Sequence, residues 1–300
     1  MKLLSGRALP QPCVLTLGKF ESIHRGHRAL IDKAKSLAAA QGLATAVVAF
    51  TPHPYCVVQQ EAYCPLFTQA ERAHLLADVD YLVEYPFDAA LMNMDEAAFA
   101  DILFHDLQAR IVVVGRDFRF GRGRAGTVHS LQQLGEARRS TVYIEENLPG
   151  VSTSAIRGYL AQDTPQLAQV EALLGFPYFA MGVVTRGRRL GRQLGFPTLN
   201  LYPPGEKFLP KFGVYATRTT LHGQCFAGIT NVGLRPTVNA DERIPTIETH
   251  LLDFNQDAYD ATIKVAFTKF IRKEMQFASL EALKEQISQD IHSHLGLSIS

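Results

Sequence analysis

The stretch Val14-Leu15-Thr16-Leu17-Gly18-Lys19-Phe20-Glu21-Ser22-Ile23-His24-Arg25-Gly26-His27 decides how the first half of this 300-residue chain reads. Val14 to Leu17 is a short apolar, strand-like run that ends in Gly18, and beyond His27 the residues Leu30, Ile31, Ala34, Leu37 and Ala38 recur at helical spacing. His24 and His27 therefore sit on a strand-to-helix turn. The unpaired amides of a first helical turn favour anions, and Gly26 lets backbone come close to a phosphate. Imidazoles three residues apart at that end can donate to the oxygens of a phosphoryl group as it becomes pentacoordinate. A surface turn that happens to carry two histidines is the competing reading of so short a pattern.

Outward from this turn, strands and helices alternate. Thr45 to Phe50 reads as a second buried strand, followed by the turn Thr51-Pro52-His53-Pro54. A helix over Gln69 to Val79, a strand over Tyr81 to Tyr85, a helix over Asp95 to Leu107 and a strand over Arg110 to Gly115 continue the pattern. A helix near Val128 to Arg138 and a strand over Thr141 to Glu145 complete it. Such alternation predicts a mostly parallel sheet with helices on both faces and right-handed crossovers. Ligands of these sheets bind beyond the carboxyl ends of the strands, so the His24 turn and the segment after Gly115 should share one edge.

That segment, Gly115 to Gly126, combines four arginines, four glycines and two phenylalanines, Phe118 and Phe120. An anionic ligand with a flat ring would use aromatic and basic groups together; a basic loop with its aromatics tucked into the core is the alternative. Next, Val151-Ser152-Thr153-Ser154-Ala155-Ile156-Arg157 opens a helix. N-capping explains its hydroxyls but not Arg157.

His24-Arg25-Gly26-His27 is the HxGH form of the nucleotidylyltransferase superfamily. Together with the Pro52-His53-Pro54 turn, the Asp117 to Gly126 loop and the helix start ending in Arg157, it resembles the adenylyltransferase half of bacterial bifunctional riboflavin kinase/FAD synthetases. The resemblance implies ATP held by Gly18, Phe20, His24, Gly26, His27, Ser152, Thr153 and Arg157, with both histidines catalytic. It implies FMN near Pro52, His53, Pro54, Asp117, Phe118 and Phe120. The chemistry agrees, because FMN carries a phosphate whose oxygen can attack the α-phosphorus of ATP, so positioning and charge stabilisation suffice. Glu21 and Ser22 depart from the family's usual Asp-Gly. If the turn needs positive φ at Ser22, a non-glycine residue costs roughly 1–2 kcal/mol there, and the extra methylene of Glu21 shifts its carboxylate.

Thr164-Pro165 reads as a helix start, and Gly175-Phe176-Pro177 ends the helix and marks the expected boundary between domains 1–175 and 176–300. Beyond it come consecutive strands: Tyr178 to Thr185, Gly213 to Leu221, Gln224 to Val232, Thr246 to Phe254 and Thr262 to Phe267, with a hairpin turn at Leu221-His222-Gly223-Gln224. They predict a small antiparallel β-barrel. A helix over Leu280 to Leu295, apolar along one face, should pack on it. The fold class expected for the whole chain is thus α/β plus β, a Rossmann-like domain followed by a barrel with a C-terminal helix.

Between the first two of these strands, Gly187, Gly191 and Gly195 are spaced by four and interleaved with Arg186, Arg188, Arg189 and Arg192, which suits a loop around a polyphosphate; a charged hairpin tip is the alternative. No P-loop pattern is present. Thr198 and Asn200 share a face if extended and offer two neutral oxygens, adequate for a Mg²⁺ ion that completes its shell with ATP oxygens and water. The run Gly187 to Asn200, with Gly213 to Tyr215, Gly233 to Thr237 and Ile247 to Leu251, resembles the riboflavin kinase domain of the same family. The resemblance implies Glu248 as catalytic base, ATP at Gly187, Arg188, Gly191, Arg192, Gly195 and Pro197, metal at Thr198 and Asn200, and flavin at Arg235, Pro236, Thr237, Arg272 and Glu274. A base is sensible, since the ribityl alcohol must lose a proton as it attacks the γ-phosphorus. His250 reads as structural, and Asp257-Ala258-Tyr259-Asp260, against the usual D-L-Y-G, as a loop variation away from chemistry.

Composition sets the outer limits. Hydrophobic residues at 47% and charged ones at 20% allow two real cores, and a net charge of +1 gives no global attraction to nucleic acid or membrane. Cys13, Cys56, Cys64 and Cys225 form no C-x-x-C pair and read as reduced thiols. With neither a signal-peptide core nor a membrane-length apolar stretch, the expected location is the cytoplasm. The expected function is riboflavin to FMN to FAD at the cost of two ATP, with Mg²⁺, and self-association is possible. A kinase with an inactive first domain, motivated by Glu21 and Ser22, is the second reading, and a non-catalytic flavin-binding regulator the third.

Overall fold

The apolar runs of the first half lie side by side as parallel strands β1 (Lys2–Ser5), β2 (Cys13–Gly18), β3 (Ala44–Thr51), β4 (Tyr81–Pro86), β5 (Ala109–Gly115) and β6 (Thr141–Glu145), in the order β1-β4-β3-β2-β5-β6. The computed structural model describes residues 1–6, 8–187, 195–204, 207–236 and 243–295. By its contacts the chain divides into two units, Met1–Pro65 with Gln69–Thr153 and Leu66–Thr68 with Ser154–Ser300.

In the first unit the central strands are buried on both faces, as a parallel sheet with helical crossovers requires. Leu15, Leu17, Ala46, Val48, Val112 and Val114 pack with Phe99, Leu103 and Leu131. Val14, Val47, Ala49, Ile111 and Val113 pack instead with Ile31, Ala34, Ala38 and Leu76. Helices Arg25–Gln41 and Gln69–Leu75 thus lie against one face, and Glu96–Asp101 and Val128–Glu136 against the other. The helix expected over Asp95 to Leu107 changes to a π-helical turn at Ile102–Asp106. Strand β1 is an addition to the expected pattern: it joins the sheet at its edge beside β4, where ladder bonds rather than burial recruit it. Strand β2 lies between β3 and β5, and the chain passes to the β3 side first and to the β5 side later. Gly18, Thr51 and Gly115 therefore end neighbouring strands at the topological switch point.

In the second unit, β7 (Phe179–Val183), β8 (Thr198–Leu201), β9 (Gly213–Leu221), β10 (Gln224–Pro236), β11 (Arg243–Leu251) and β12 (Thr262–Arg272) form an antiparallel sheet in the order β7-β12-β9-β10-β11-β8. The β9–β10 hairpin turns at His222 (φ 48°) and Gly223 (φ 77°), both positive as a tight two-residue turn demands. The sheet curls until its two edges meet. Just beyond β7, Thr185 donates its N–H (2.9 Å) and its hydroxyl (3.2 Å) to the carbonyl of Asn200 in β8. Tyr215, Ile247, Val265 and Phe267 are buried here, as are Thr217, Thr230 and Thr249, whose hydroxyls link in series at 2.8 and 2.9 Å.

The helix Leu280–Leu295 packs Ile287 and Ile291 on Phe196, Val214 and Ile229. Arg272 at the end of β12 fixes it by donating from Nε (3.0 Å) and Nη2 (2.9 Å) to the buried carboxylate of Asp290, which also accepts from Gln286 (3.0 Å). Helices Thr153–Ala161 and Leu167–Leu174 group almost wholly with this unit, ahead of the boundary expected at Gly175, and Leu167, Val170 and Leu174 are buried. Leu66 belongs to it as well, its carbonyl accepting from the Tyr178 hydroxyl (2.7 Å) and the Lys207 ammonium (2.9 Å).

Burial of Val170 and Leu174 makes the second unit sensitive to where it is cut. A fragment beginning at Ser154 should unfold at a higher temperature than one beginning at Phe176, measured by circular dichroism; equal midpoints would show that these helices add nothing to its packing.

Candidate functional site

In the first unit His24 is the N-cap of helix Arg25–Gln41, and its Nδ1 accepts the N–H of His27 at 3.1 Å. A neutral His24 therefore carries its proton on Nε2. The two imidazoles stack, with centroids 3.8 Å apart and planes within 6°. A Cβ on Gly26 would come within 3.2–3.3 Å of the His24 ring, so the glycine of the motif makes room for the imidazole that folds back over it. Burial lowers the pKa of both rings, His27 further because a charge on His24 would oppose its own. Both are neutral at pH 7.

The turn before them resolves the question raised by Ser22. The left-handed residues are Phe20 (φ 40°) and Ile23 (φ 45°), while Ser22 is not among those with positive φ. Phe20 and Ile23 are fully buried, which holds them in conformations that a bulky or β-branched side chain rarely adopts. Ser22 instead meets the hydroxyl of Thr153 at 2.9 Å, beside Ser152. Glu21 is buried, accepts the hydroxyl of Tyr63, and lies 3.6 Å from Nε2 of His53. His53, between Pro52 and Pro54, caps the short helix Pro54–Gln59 by accepting the Tyr55 N–H on Nδ1 (3.2 Å). Tyr63 is outside every motif, and no spacing in the sequence points to it.

The loop after β5 divides its two phenylalanines. Phe120 and Gly126 exchange backbone hydrogen bonds (3.2 and 2.9 Å), and a Cβ on Gly126 would stand 2.7 Å from the Phe120 ring. Phe120 is buried, 5.2 Å from Phe99. Its ring belongs to the core, a correction to the flavin contact expected of it; Phe118 keeps part of its surface exposed, and Asp117 is exposed. Arg157, one turn into helix Thr153–Ala161, has its guanidinium 4.8 Å from the centre of the Phe208 ring.

In the second unit strand register builds the site. Asn200 in β8 and Asn231 in β10 both stand opposite Glu248 in β11, and Thr198 stands opposite His250. Directly opposed residues share a face, so Asn231, Glu248 and Asn200 form a row across three strands with Thr198 and His250 beside it. Asn200 donates Nδ2 to the Thr198 carbonyl (3.2 Å), which leaves Oδ1 as its oxygen for a cation. A Cβ on Gly187 would stand 2.6 Å from that amide, so glycine is needed there. His250 Nδ1 bonds the Pro197 carbonyl at 2.9 Å, and its ring lies against Phe196. Asn231 donates to Glu274 (3.1 Å), whereas Arg272 is engaged by Asp290. Among the described residues no group of three or more His, Cys, Asp or Glu could hold a metal. Arg188, Gly191, Arg192 and Thr237 lie outside the described residues, as do the side chains of Arg235 and Pro236.

A cavity of about 640 Å³ opens beside Thr198, lined by Phe196, Leu199, Asp253, Asp257, Tyr259 and Ile291 among others. Asp257, Ala258 and Tyr259, in a segment expected away from chemistry, therefore form part of its wall. Asp260 has φ 63°, the conformation a glycine would adopt and one that Asp tolerates.

Residues 7–154 match the family model described as FAD synthetase, and residues 174–296 the one described as riboflavin kinase. The bifunctional riboflavin kinase/FMN adenylyltransferase of Escherichia coli (strain K12) is 37% identical over 97% of this chain and 96% of its own. The protein of the same name from Bacillus subtilis (strain 168) is 33% identical over 92% and 90%. A crystal structure from Streptococcus pneumoniae, titled a macrolide-efflux protein, covers 99% of each chain with a TM-score of 0.85 and 26% identity. Among the described residues of this chain no helix is long and apolar enough to cross a membrane.

The buried imidazoles carry a pH signature. Their folded pKa values lie below the ordinary 6.5, so as pH drops below that value the unfolded chain binds more protons and the folded state loses stability. Thermal melts should show the midpoint of the first unit falling as pH is lowered from 7.5, and His24→Asn with His27→Gln should flatten that slope. An unchanged slope would mean that the acid sensitivity lies elsewhere.

Proposed function

Because the chain belongs to the family of bifunctional riboflavin kinase/FMN adenylyltransferases, we propose that it performs both reactions, phosphorylating riboflavin to FMN in its second unit and joining FMN to AMP in its first, with release of pyrophosphate. The observation that carries the reading is the register of β8, β10 and β11, which sets Glu248 between Asn200 and Asn231 with Thr198 one row away. Glu248 takes the proton of the ribityl alcohol as its oxygen attacks the γ-phosphorus of ATP. Thr198 Oγ1 and Asn200 Oδ1 are the hard, neutral oxygens that would hold the Mg²⁺ travelling with ATP, and that ion would neutralise phosphate charge. The cavity beside Thr198 has the size of a small-molecule site and takes the nucleoside end of that ATP. Gly187, Gly195 and Pro197 border the phosphates, and Glu274, through Asn231, the flavin.

In the first unit the attacking phosphate oxygen of FMN is already an anion, so no base is needed. The Nε2–H of His24 donates to the α-phosphoryl oxygens, with His27 stacked beneath it. Gly18, Phe20, Gly26, Ser152 and Thr153 hold ATP, and Pro52, His53, Pro54, Asp117 and Phe118 border FMN. The kinase-only reading loses the part of its motive that rested on Ser22, which is not among the residues with positive φ. Work on ATP and free riboflavin belongs in the cytoplasm.

Glu248→Gln keeps shape but not basicity, so FMN formation should fall by roughly 10²- to 10⁴-fold while FAD formation from supplied FMN persists. Conversely, His24→Ala with His27→Ala should abolish FAD formation and spare riboflavin phosphorylation. Chromatography of products from riboflavin, ATP and Mg²⁺, with melts to confirm folding, checks both; FMN made at the normal rate by the Glu248 variant would overturn the assignment.

Thr198→Ala should raise the Mg²⁺ concentration needed for half-maximal FMN formation and leave the FAD step untouched. An equal loss in both reactions would make the threonine structural.

A further inference from the structure

Glu21 occupies the position where the catalytic turn departs from its family's wording, and it is almost wholly buried, 3% exposed. A carboxylate is seldom placed so deeply without partners to compensate its desolvation. Here Oε2 accepts the Tyr63 hydroxyl and faces Nε2 of His53 at 3.6 Å. The Tyr63 ring in turn lies flat on the His53 imidazole, with centroids 4.0 Å apart and planes within 4°. Tyr55 extends the cluster, tilted 5.4 Å from Tyr63, while its backbone N–H bonds the other nitrogen of His53. His53 is thus held at Nδ1 by the helix it caps and across one face by Tyr63, with the Glu21 carboxylate 3.6 Å from Nε2.

We infer that Glu21 is a positioning residue for FAD formation: through Tyr63 and His53 it fixes the aromatic wall on which FMN is bound, and so sets the affinity for FMN rather than for ATP. The inference rests on the adenylyltransferase reading above. The length of the side chain matters. An aspartate here would withdraw the carboxylate by about 1.5 Å, one carbon–carbon bond, out of hydrogen-bond reach of the Tyr63 hydroxyl. The methylene that distinguishes Glu21 from the family's aspartate is what allows the carboxylate to reach Tyr63, and through the stacked Tyr63 ring to act on His53.

Steady-state kinetics of FAD formation from supplied FMN tests this on the full-length protein. Tyr63→Phe keeps the ring and removes only the donated hydrogen bond. It should raise KM for FMN about tenfold, the scale of one hydrogen bond to a charged acceptor, with KM for ATP unchanged. Glu21→Ala should do the same or more, and Glu21→Gln, which keeps an oxygen to accept from Tyr63, should recover most of the FMN affinity. The inference is overturned if KM for FMN stays at the wild-type value in Tyr63→Phe. It is equally overturned if KM for FMN and KM for ATP rise together, the mark of a merely structural contact. Should Glu21→Ala fail to fold, Tyr63→Phe alone decides. A wild-type protein that forms no FAD would refute the adenylyltransferase reading itself, and this inference with it.

Discussion

His24 gives one ring nitrogen to the backbone of its own helix, and the chemistry of the first unit depends on that bond. Accepting the His27 N–H on Nδ1 starts the helix at Arg25, leaves the proton of a neutral ring on Nε2, and brings the imidazole back over Gly26, where a Cβ would crowd it. It also brings the two rings into a stack, so that each desolvates the other and both remain neutral. A helix cap and a phosphate-binding group are here the same side chain. That is why the histidine pair stands at the switch point of the sheet, where strand ends leave amides and space for a ligand.

The second unit meets the same need with sheet register in place of a cap. Its curled sheet is joined at Asn200, whose carbonyl takes two bonds from Thr185 while its side chain faces the row led by Glu248. The residue that joins the edges is also one of the two proposed metal ligands. Strain that would loosen the closure would therefore move the oxygen as well, and Gly187 beside the amide has no room for a Cβ. Polar order runs through this unit, in the linked hydroxyls of Thr217, Thr230 and Thr249, each buried and each satisfied by the next.

Three departures from the family's wording turn out to be local solutions. Ser22 stands between two left-handed residues without sharing their conformation and bonds Thr153. Glu21 reaches Tyr63 and His53. Asp260 takes up positive φ in a loop where glycine is usual. In each case a residue that looks costly in a motif has a partner or a tolerance that the motif does not display.

Much of the molecule was legible before its coordinates. Strand-helix alternation up to Glu145 and strand succession after Phe179 predicted both folds, because periods of 2.0 and 3.6 in apolar residues record which faces are buried. The histidine pair stood out by its place on a strand-to-helix turn, and Thr198 and Asn200 as two neutral oxygens on one face, whereas Glu248 was marked only by the resemblance to the riboflavin kinase domain. What the sequence could not show were relations between distant segments. The edge strand Lys2–Ser5 carries almost no apolar signal, since it is recruited by backbone bonds. Phe120 was ambiguous until its ring was seen against Phe99, for an aromatic residue in a loop serves a core or a ligand equally well. Tyr63, 42 residues from Glu21, meets it only once the chain is folded, and the two helices before Gly175 reveal their allegiance only through burial against the barrel unit. Local spacing determined which elements form and which side chains could do chemistry; tertiary packing alone decided which of those side chains were still available to do it, because burial and hydrogen bonding are settled between segments that have no fixed separation in sequence.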